Sequence, residues 1–157
     1  MGRGRRKSST PNLRPTKVKK LTAIAQIRDM TVKYPKFTAT RRGNEAIWEG
    51  RFRPSEACAT YLVRINALSG QRPLVWVLEP ELRIPRDKWL ELHRFRHGGL
   101  CLHLHEQWTP DQFIADTIIQ WTSLWLINYE YWLACGTWLG GGELTLPSEC
   151  VSLSEPV

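Results

Sequence analysis

The segment from Lys36 to Leu78, KFTATRRGNEAIWEGRFRPSEACATYLVRINALSGQRPLVWVL, decides the fold. Apolar and polar residues alternate along most of it, and β-branched and aromatic residues are frequent, a pattern typical of strands with one buried face. Short polar turns containing glycine or proline separate the runs, and consecutive strands joined in this way favour an antiparallel meander. The pattern predicts four strands, at Lys36–Arg41, Glu45–Arg53, Cys58–Leu68 and Leu74–Leu78.

Helices are predicted on both sides of this segment. Leu21–Lys33 has apolar residues at helical spacing. Thr109–Gln112 has the form of a capping box with proline at the first helical position, so a helix is expected to begin there and to run to about Ala134. This region is either one helix or two helices bent near Gln120, with Gly136 as the C-terminal cap. The fold class is therefore α+β, with helices packed on one face of the sheet.

One apolar stripe supports the second helix. Its members recur at helical spacing and are expected to face the sheet rather than to form a ligand site. They are Ile114, Ile118, Trp121, Trp125, Tyr129 and Trp132.

The charge of the chain is divided unevenly. The net charge is +7 over 157 residues, but residues 1–20 alone hold eight Lys/Arg and no Asp/Glu, so the remaining chain is close to neutral. We expect residues 1–20 to be a disordered basic tail, 21–147 to be a single catalytic domain, and 148–157 to be a flexible end. Nucleic-acid binding is not expected beyond a weak contact of the tail.

The chain shows no pattern of a secreted or membrane protein. The basic N-terminus leads into polar residues rather than into a long apolar run, and polar residues interrupt the apolar region from Ile118 to Leu139. The four cysteines include no CxxC pair, which favours a reducing cytoplasm. Cys58 and Cys135 are interpreted as packing residues, and Cys150 as an exposed thiol.

Residues 93–110, HRFRHGGLCLHLHEQWTP, hold most of the groups that can do chemistry. Cys101 carries the only strong nucleophile among them, and the cations around it would favour a thiolate. The paired glycines at 98 and 99 would leave room for a large partner to approach. We therefore interpret Cys101 as a catalytic nucleophile, tuned by His103; the alternative is a buried structural cysteine.

A metal site is the competing interpretation of the same residues. If this stretch were a strand, Cys101, His103 and His105 would project from one face, and His97 or His93 would supply a fourth ligand. Ligands alternating along one strand rarely converge on zinc without another element, so no metal is expected.

A group of these residues resembles the ubiquitin-conjugating (UBC) family, which has glycine three residues before a Cys-Leu pair and then Trp-x-Pro. The segment IIQWTSLWLINYEYWLACGTWLGGGE, residues 118–143, is also similar to the bacterial branch of this fold in CBASS anti-phage operons. There the protein is encoded beside a cGAS-like nucleotidyltransferase. The resemblance covers roughly residues 20–143, and the matching positions are Phe95, Gly98, Leu100, Cys101, Leu102, Trp108, Thr109 and Pro110.

The resemblance implies an activity and its site. Cys101 would carry the C-terminal glycine of the cGAS-like partner as a thioester and pass it to an amine, with His103, Gly98 and Trp108 in supporting positions. His93 stands where the eukaryotic family has asparagine, so it would either donate a hydrogen bond to the oxyanion or act as a base. Leu92 replaces the proline before it.

The resemblance also implies which other components take part. No cofactor is expected. Neither GxGxxG nor a P-loop is present, so activation of the carboxylate would need a separate activating enzyme or another route. The amine acceptor stays open. Two alternatives from other classes remain: a catalytically inactive UBC-like binding module, and a zinc-dependent enzyme using Cys101, His103 and His105.

Overall fold

A computed structural model describes residues 17–103 and 105–140. It confirms an α+β chain whose four strands form one antiparallel sheet in the order β1-β2-β3-β4. Two short 3-10 helices, Arg86–Lys88 and His105–Gln107, lie between the sheet and the second α-helix. The principal elements are α1 (Ala23–Lys33), β1 (Thr38–Arg42), β2 (Glu45–Phe52), β3 (Tyr61–Leu68), β4 (Leu74–Glu79) and α2 (Ile118–Cys135).

The sheet follows the alternation in the sequence. Tyr61, Val63, Ile65 and Ala67 of β3 are all buried, and they alternate with partly buried or exposed residues. The strand begins three residues later than Cys58 because the backbone N–H of Ala59 donates to the Glu130 carboxylate at 2.7 Å instead of pairing with a strand.

Helix α1 confirms the first predicted helix. Thr22 caps it, since its hydroxyl oxygen accepts a hydrogen bond from the backbone N–H of Ala25 at 3.2 Å. At the other end, Lys33 forms ion pairs with Asp29 and with Asp116, which belongs to the segment before α2. The helix is thus tied to the C-terminal part of the domain.

Helix α2 begins at Ile118, so the helix start predicted at Pro110 is wrong. The Gln112 side chain does reach back to the backbone N–H of Thr109 at 3.1 Å, as a capping box requires. However, the buried Gln26 amide of α1 accepts from the backbone N–H of Ile114 and donates to the carbonyl of Gln112. Because these groups are paired with another helix, residues 110–117 form turns.

The body of α2 packs against the sheet as expected. Ile114, Ile118, Trp125 and Tyr129 of the apolar stripe are buried, while the other two members are partly buried. Gly136 follows the helix with φ +73°, the left-handed cap that was predicted.

The opposite side of α2 is also apolar, with Leu124, Ile127 and Tyr131 exposed. Among residues 17–103 and 105–140, no helix combines the length and the hydropathy that a membrane span requires.

Cys58 and Cys135 were both predicted to be packing residues, and the structure agrees for only one of them. Cys58 is buried, and its sulfur accepts a hydrogen bond from the Ser55 hydroxyl at 3.1 Å, in agreement with a packing role. Cys135 is exposed at the end of α2, so its assignment as a packing residue is wrong. Cys150, the end at 148–157 and residues 1–16 of the basic tail lie outside the described residues.

Candidate functional site

Residues 93–101 form a small hairpin, called here the cysteine hairpin. Arg94 and Leu100 pair across it as an antiparallel bridge. Its turn is closed by two backbone hydrogen bonds, from Phe95 to Gly99 at 2.8 Å and from Gly98 to Phe95 at 2.9 Å. Gly98 has φ +90°, a conformation that residues with a Cβ rarely adopt. The glycine in the sequence pattern therefore serves the turn that returns the chain to Cys101.

The cysteine hairpin is fixed to the sheet and to the preceding loop. The backbone N–H of Leu100, next to the cysteine, donates to the carbonyl of Val75 in β4 at 2.8 Å. The Arg94 guanidinium lies 4.1 Å from the Trp89 ring centroid and donates to the carbonyl of Gly98 at 3.2 Å. These contacts hold both strands of the hairpin.

The carbonyl oxygen of His93 closes the hairpin at its base. It accepts the backbone N–H of Cys101 at 2.9 Å and the indole N–H of Trp125 in α2 at 3.2 Å. His93 has φ +55°, in the left-handed region that few residues other than glycine adopt. The backbone of Cys101 and helix α2 are thus both hydrogen-bonded to the same residue, His93, whose backbone is strained.

The imidazole of His93 lies against aromatic rings. It stacks on Trp138 with ring centroids 6.2 Å apart, and Trp138 in turn packs 5.5 Å from Trp125. Burial among these rings removes water from the imidazole and lowers the pKa of His93 below its ordinary value. The neutral ring, with one donor and one acceptor nitrogen, is therefore favoured near neutral pH.

Cys101 itself is only 7% exposed and shares a small buried cluster with Phe95. The thiols of Cys58 and Cys135 are free, and neither residue belongs to the cysteine hairpin. Nucleophilic chemistry at Cys101 requires the reduced thiolate.

His97 occupies the space that the glycine pair was expected to leave open. A Cβ on Gly99 would lie 2.6 Å from the His97 imidazole, and the Gly99 N–H donates to Nδ1 of that ring at 3.2 Å. The ring also stacks on Phe95 at 5.1 Å and approaches Trp76 of β4 at 5.9 Å. Burial lowers the pKa of His97 as well. The missing side chain at Gly99 therefore lets the His97 ring of the same hairpin pack there, and it does not leave room for a partner.

The other predicted residues lie farther along the chain. His103 packs on Trp121, with ring centroids 4.8 Å apart, and Trp108 is buried in the main core. Among the described side chains, no group of three His, Cys, Asp or Glu is arranged to hold a metal ion. The zinc alternative also uses His105, whose side chain lies outside the described part of the chain.

Two residues of the site were missed by the sequence reasoning about function. Trp125 was interpreted only as a member of the apolar stripe and Trp138 was given no role in the site, yet both contact His93. The available signal was that a buried tryptophan needs an acceptor for its N–H group, so a tryptophan-rich helix implies polar partners nearby.

Most of the chain is similar to a known protein family. Residues 26–145 match a protein-family model, E2-CBASS, described as Type II CBASS E2 protein. A search of curated proteins found no match.

Proposed function

Because the chain belongs to the type II CBASS E2 protein family, we propose that it is a conjugating transferase of anti-phage defence that carries an acyl group on Cys101. The observation that supports this most directly is that hydrogen bonds fix the backbone at Cys101. Its backbone N–H is bonded to His93, and the residue before it is bonded to β4. A nucleophile fixed in this way loses little further freedom when an acyl donor arrives.

The reaction has two steps. In the first, the Cys101 thiolate attacks the carbonyl carbon of an activated carboxylate, such as an acyl adenylate, and the activating group leaves with its bonding electrons. The product is a thioester. In the second, an amine attacks that carbonyl, the thiolate leaves, and the proton lost by the amine goes to solvent or to a nearby base. The product is an amide and the free cysteine.

The proposed acyl donor is the C-terminal glycine of a cGAS-like nucleotidyltransferase, the partner that the resemblance implies. The acceptor is a molecule that carries an amine, and its identity stays open. Activation of the carboxylate is assigned to a separate activating enzyme. Since Cys101 must be in its reduced form to react, we place this reaction in the cytoplasm.

His93 is proposed to assist the second step. Attack of the amine builds negative charge on the thioester oxygen, and a positioned donor stabilises it. A neutral imidazole keeps one N–H for this purpose, and the lowered pKa of His93 favours that form. The same lowered pKa makes His93 a weaker base, so the donor role is preferred to the base role.

Intact-mass analysis of the full chain, co-expressed with the neighbouring operon genes, tests the proposal. The wild type should carry an adduct of the partner that a thiol removes. Cys101→Ser should carry one that resists thiol, because an ester is less reactive than a thioester, and Cys101→Ala should carry none. Cys135→Ala, which changes an exposed free thiol, is the matched control and should keep the adduct.

Two outcomes would overturn the proposal. A thiol-sensitive adduct that persists in Cys101→Ala and disappears in Cys135→Ala would move the nucleophile. Stable non-covalent association with the partner, without any adduct on the reduced wild type, would show an inactive binding module.

A further inference from the structure

The solvent-facing side of α2 lacks the charges that an exposed helix normally carries. The exposed residues of this helix are called here the outer stripe, and they are Gln120, Leu124, Ile127, Tyr131, Ala134 and Cys135. The single charged residue of α2, Glu130, is engaged elsewhere, because its carboxylate accepts the Tyr61 hydroxyl and the Ala59 N–H, each at 2.7 Å. A helix that is apolar on both sides is typically covered on both sides.

The spacing of the outer stripe is that of a helix–helix contact. Its first five members are separated by four, three, four and three residues, so the repeat averages 3.5 residues. This is the period at which one helix packs lengthwise along another. The large apolar members are well exposed, at 58% for Leu124, 38% for Ile127 and 45% for Tyr131. A contiguous apolar patch of this kind marks an interaction site, and its period indicates that the partner presents a helix.

The outer stripe is complementary to itself. A partner helix must present an uncharged stripe of the same period, and a second copy of α2 supplies one. Charge does not oppose the contact, because residues 21–157 hold almost equal numbers of cations and anions. The stripe is also nearly symmetric about Ile127, since Leu124 lies three residues before it and Tyr131 four residues after it. A two-fold axis near Ile127 would therefore bury the same residues on both copies.

We propose that two copies of the chain associate through the outer stripes of their α2 helices, with the helices antiparallel. Leu124 of each copy packs beside Tyr131 of the other, and Gln120 lies beside Cys135 of the other. Antiparallel packing brings the positive end of each helix dipole next to the negative end of its neighbour. The buried side of α2, with Trp125 and Tyr129, stays on the sheet. The contact is therefore independent of the acyl transfer assigned to Cys101.

The size of the outer stripe sets the expected strength of the dimer. From Gln120 to Cys135 it is about 22 Å long, and with a helix diameter of about 10 Å its footprint is about 220 Å². Stable interfaces typically bury about 800 Å² on each partner. The association is thus expected to be reversible and to depend on protein concentration.

Sedimentation velocity of the full chain under reducing conditions tests the proposal. The apparent mass should rise with concentration from that of the 18.2 kDa chain toward twice this value. Ile127→Lys brings two like charges together at the two-fold axis and should abolish the rise. Val32→Lys is the matched control, because it places the same charge at an apolar residue of α1 that is 81% exposed, and it should associate as the wild type does. If Ile127→Lys does not fold, Leu124→Lys makes the same test at a more exposed position.

A disulfide tests the direction of the two helices. In Gln120→Cys, the new thiol and Cys135 lie about 22 Å apart along one helix, whereas a disulfide requires Cα atoms within about 7 Å. A bond between these two positions must therefore join two copies. Mild oxidation should give this covalent dimer, identified on a non-reducing gel and located by mass spectrometry after proteolysis. Gln120→Cys combined with Cys135→Ala should lose that bond.

Four results would overturn the proposal. The chain stays monomeric at every concentration, or Ile127→Lys and Val32→Lys associate equally, which places the contact on another surface. A bond between the two Cys135 residues forms faster than the bond from position 120, which makes the helices parallel. Finally, the chain is monomeric alone, and Ile127→Lys prevents it from binding the nucleotidyltransferase, which assigns the outer stripe to that partner.

Discussion

The indole nitrogen of Trp125 donates a hydrogen bond to the carbonyl oxygen of His93 at 3.2 Å. The same oxygen accepts the backbone N–H of Cys101. Helix α2 is therefore connected to the proposed nucleophile through a single oxygen atom. A substitution at Trp125 is therefore expected to alter the position of Cys101, although the indole does not contact the reacting atoms.

Trp125→Phe should slow acyl transfer and lower stability. The phenyl ring keeps much of the packing against Tyr129 and Trp138, but the hydrogen bond to His93 is lost. A typical bond of this kind contributes about 0.5–1.5 kcal/mol to the free energy of unfolding. Single-turnover rates of thioester formation and of amide formation, together with urea unfolding, measure both effects.

The matched control is Trp132→Phe, which makes the same exchange in the same helix at a ring stacked on Tyr129. Equal transfer rates for the two variants would show that Trp125 contributes packing alone.

His93→Ala should slow amide formation by about a hundred- to a thousandfold, because loss of one oxyanion donor typically costs about 2.7–4 kcal/mol. Thioester loading should change less. His93→Asn keeps a donor and should retain most of the rate. An inactive asparagine variant, together with a wild-type rate that rises with pH through the His93 pKa, would indicate a base instead.

The stability of the protein should fall on acidification, partly through His93. Its native pKa lies below the ordinary value of about 6.5, so between those two values the unfolded chain binds more protons than the native state. The contribution is complete above about pH 6.5 and is lost as the pH falls toward the native pKa. Urea midpoints should therefore drop between about pH 7.5 and 5.5, and less so in His93→Asn. His97, whose pKa is also lowered, accounts for a further share.

Gly98→Ala should impair both stability and transfer. Its φ of +90° strains any residue with a Cβ, at a typical cost of about 1–3 kcal/mol. The strain falls in the turn that positions Cys101. Gly43→Ala is a suitable control, because Gly43 has φ +59°, open space around a Cβ, and a place in the β1–β2 turn. It should lose stability while its transfer rate stays at the wild-type value.

The sheet and α1 followed from patterns that are local. Alternation along β3 identifies the buried face without knowledge of its neighbours, because successive side chains of a strand point to opposite sides. The start of α2 did not follow, because Gln26 bonds backbone groups that lie 86 and 88 residues away. A capping pattern carries no information about such a competitor.

The site was predictable to the same extent. Gly98 was expected to leave room for a large partner, whereas the structure gives it φ +90° in the turn that returns the chain to Cys101. The role of Trp125 was not predictable, since a helical stripe indicates which side of a ring is buried but not where its N–H points. The catalytic assignments of Cys101 and His93 remain predictions.

The left-handed backbone of His93 also limits the genetic routes open to this position. Asparagine, aspartate and histidine are the side-chain-bearing residues most often found in that conformation. A histidine codon becomes an asparagine or an aspartate codon by one base change, and both products tolerate φ near +55°. One-base changes to leucine or proline do not share that tolerance, and proline fixes φ at a negative value. One base change thus separates the asparagine of the eukaryotic pattern from the histidine of this chain. Both residues tolerate the backbone conformation at this position, whatever their side chains do in the reaction.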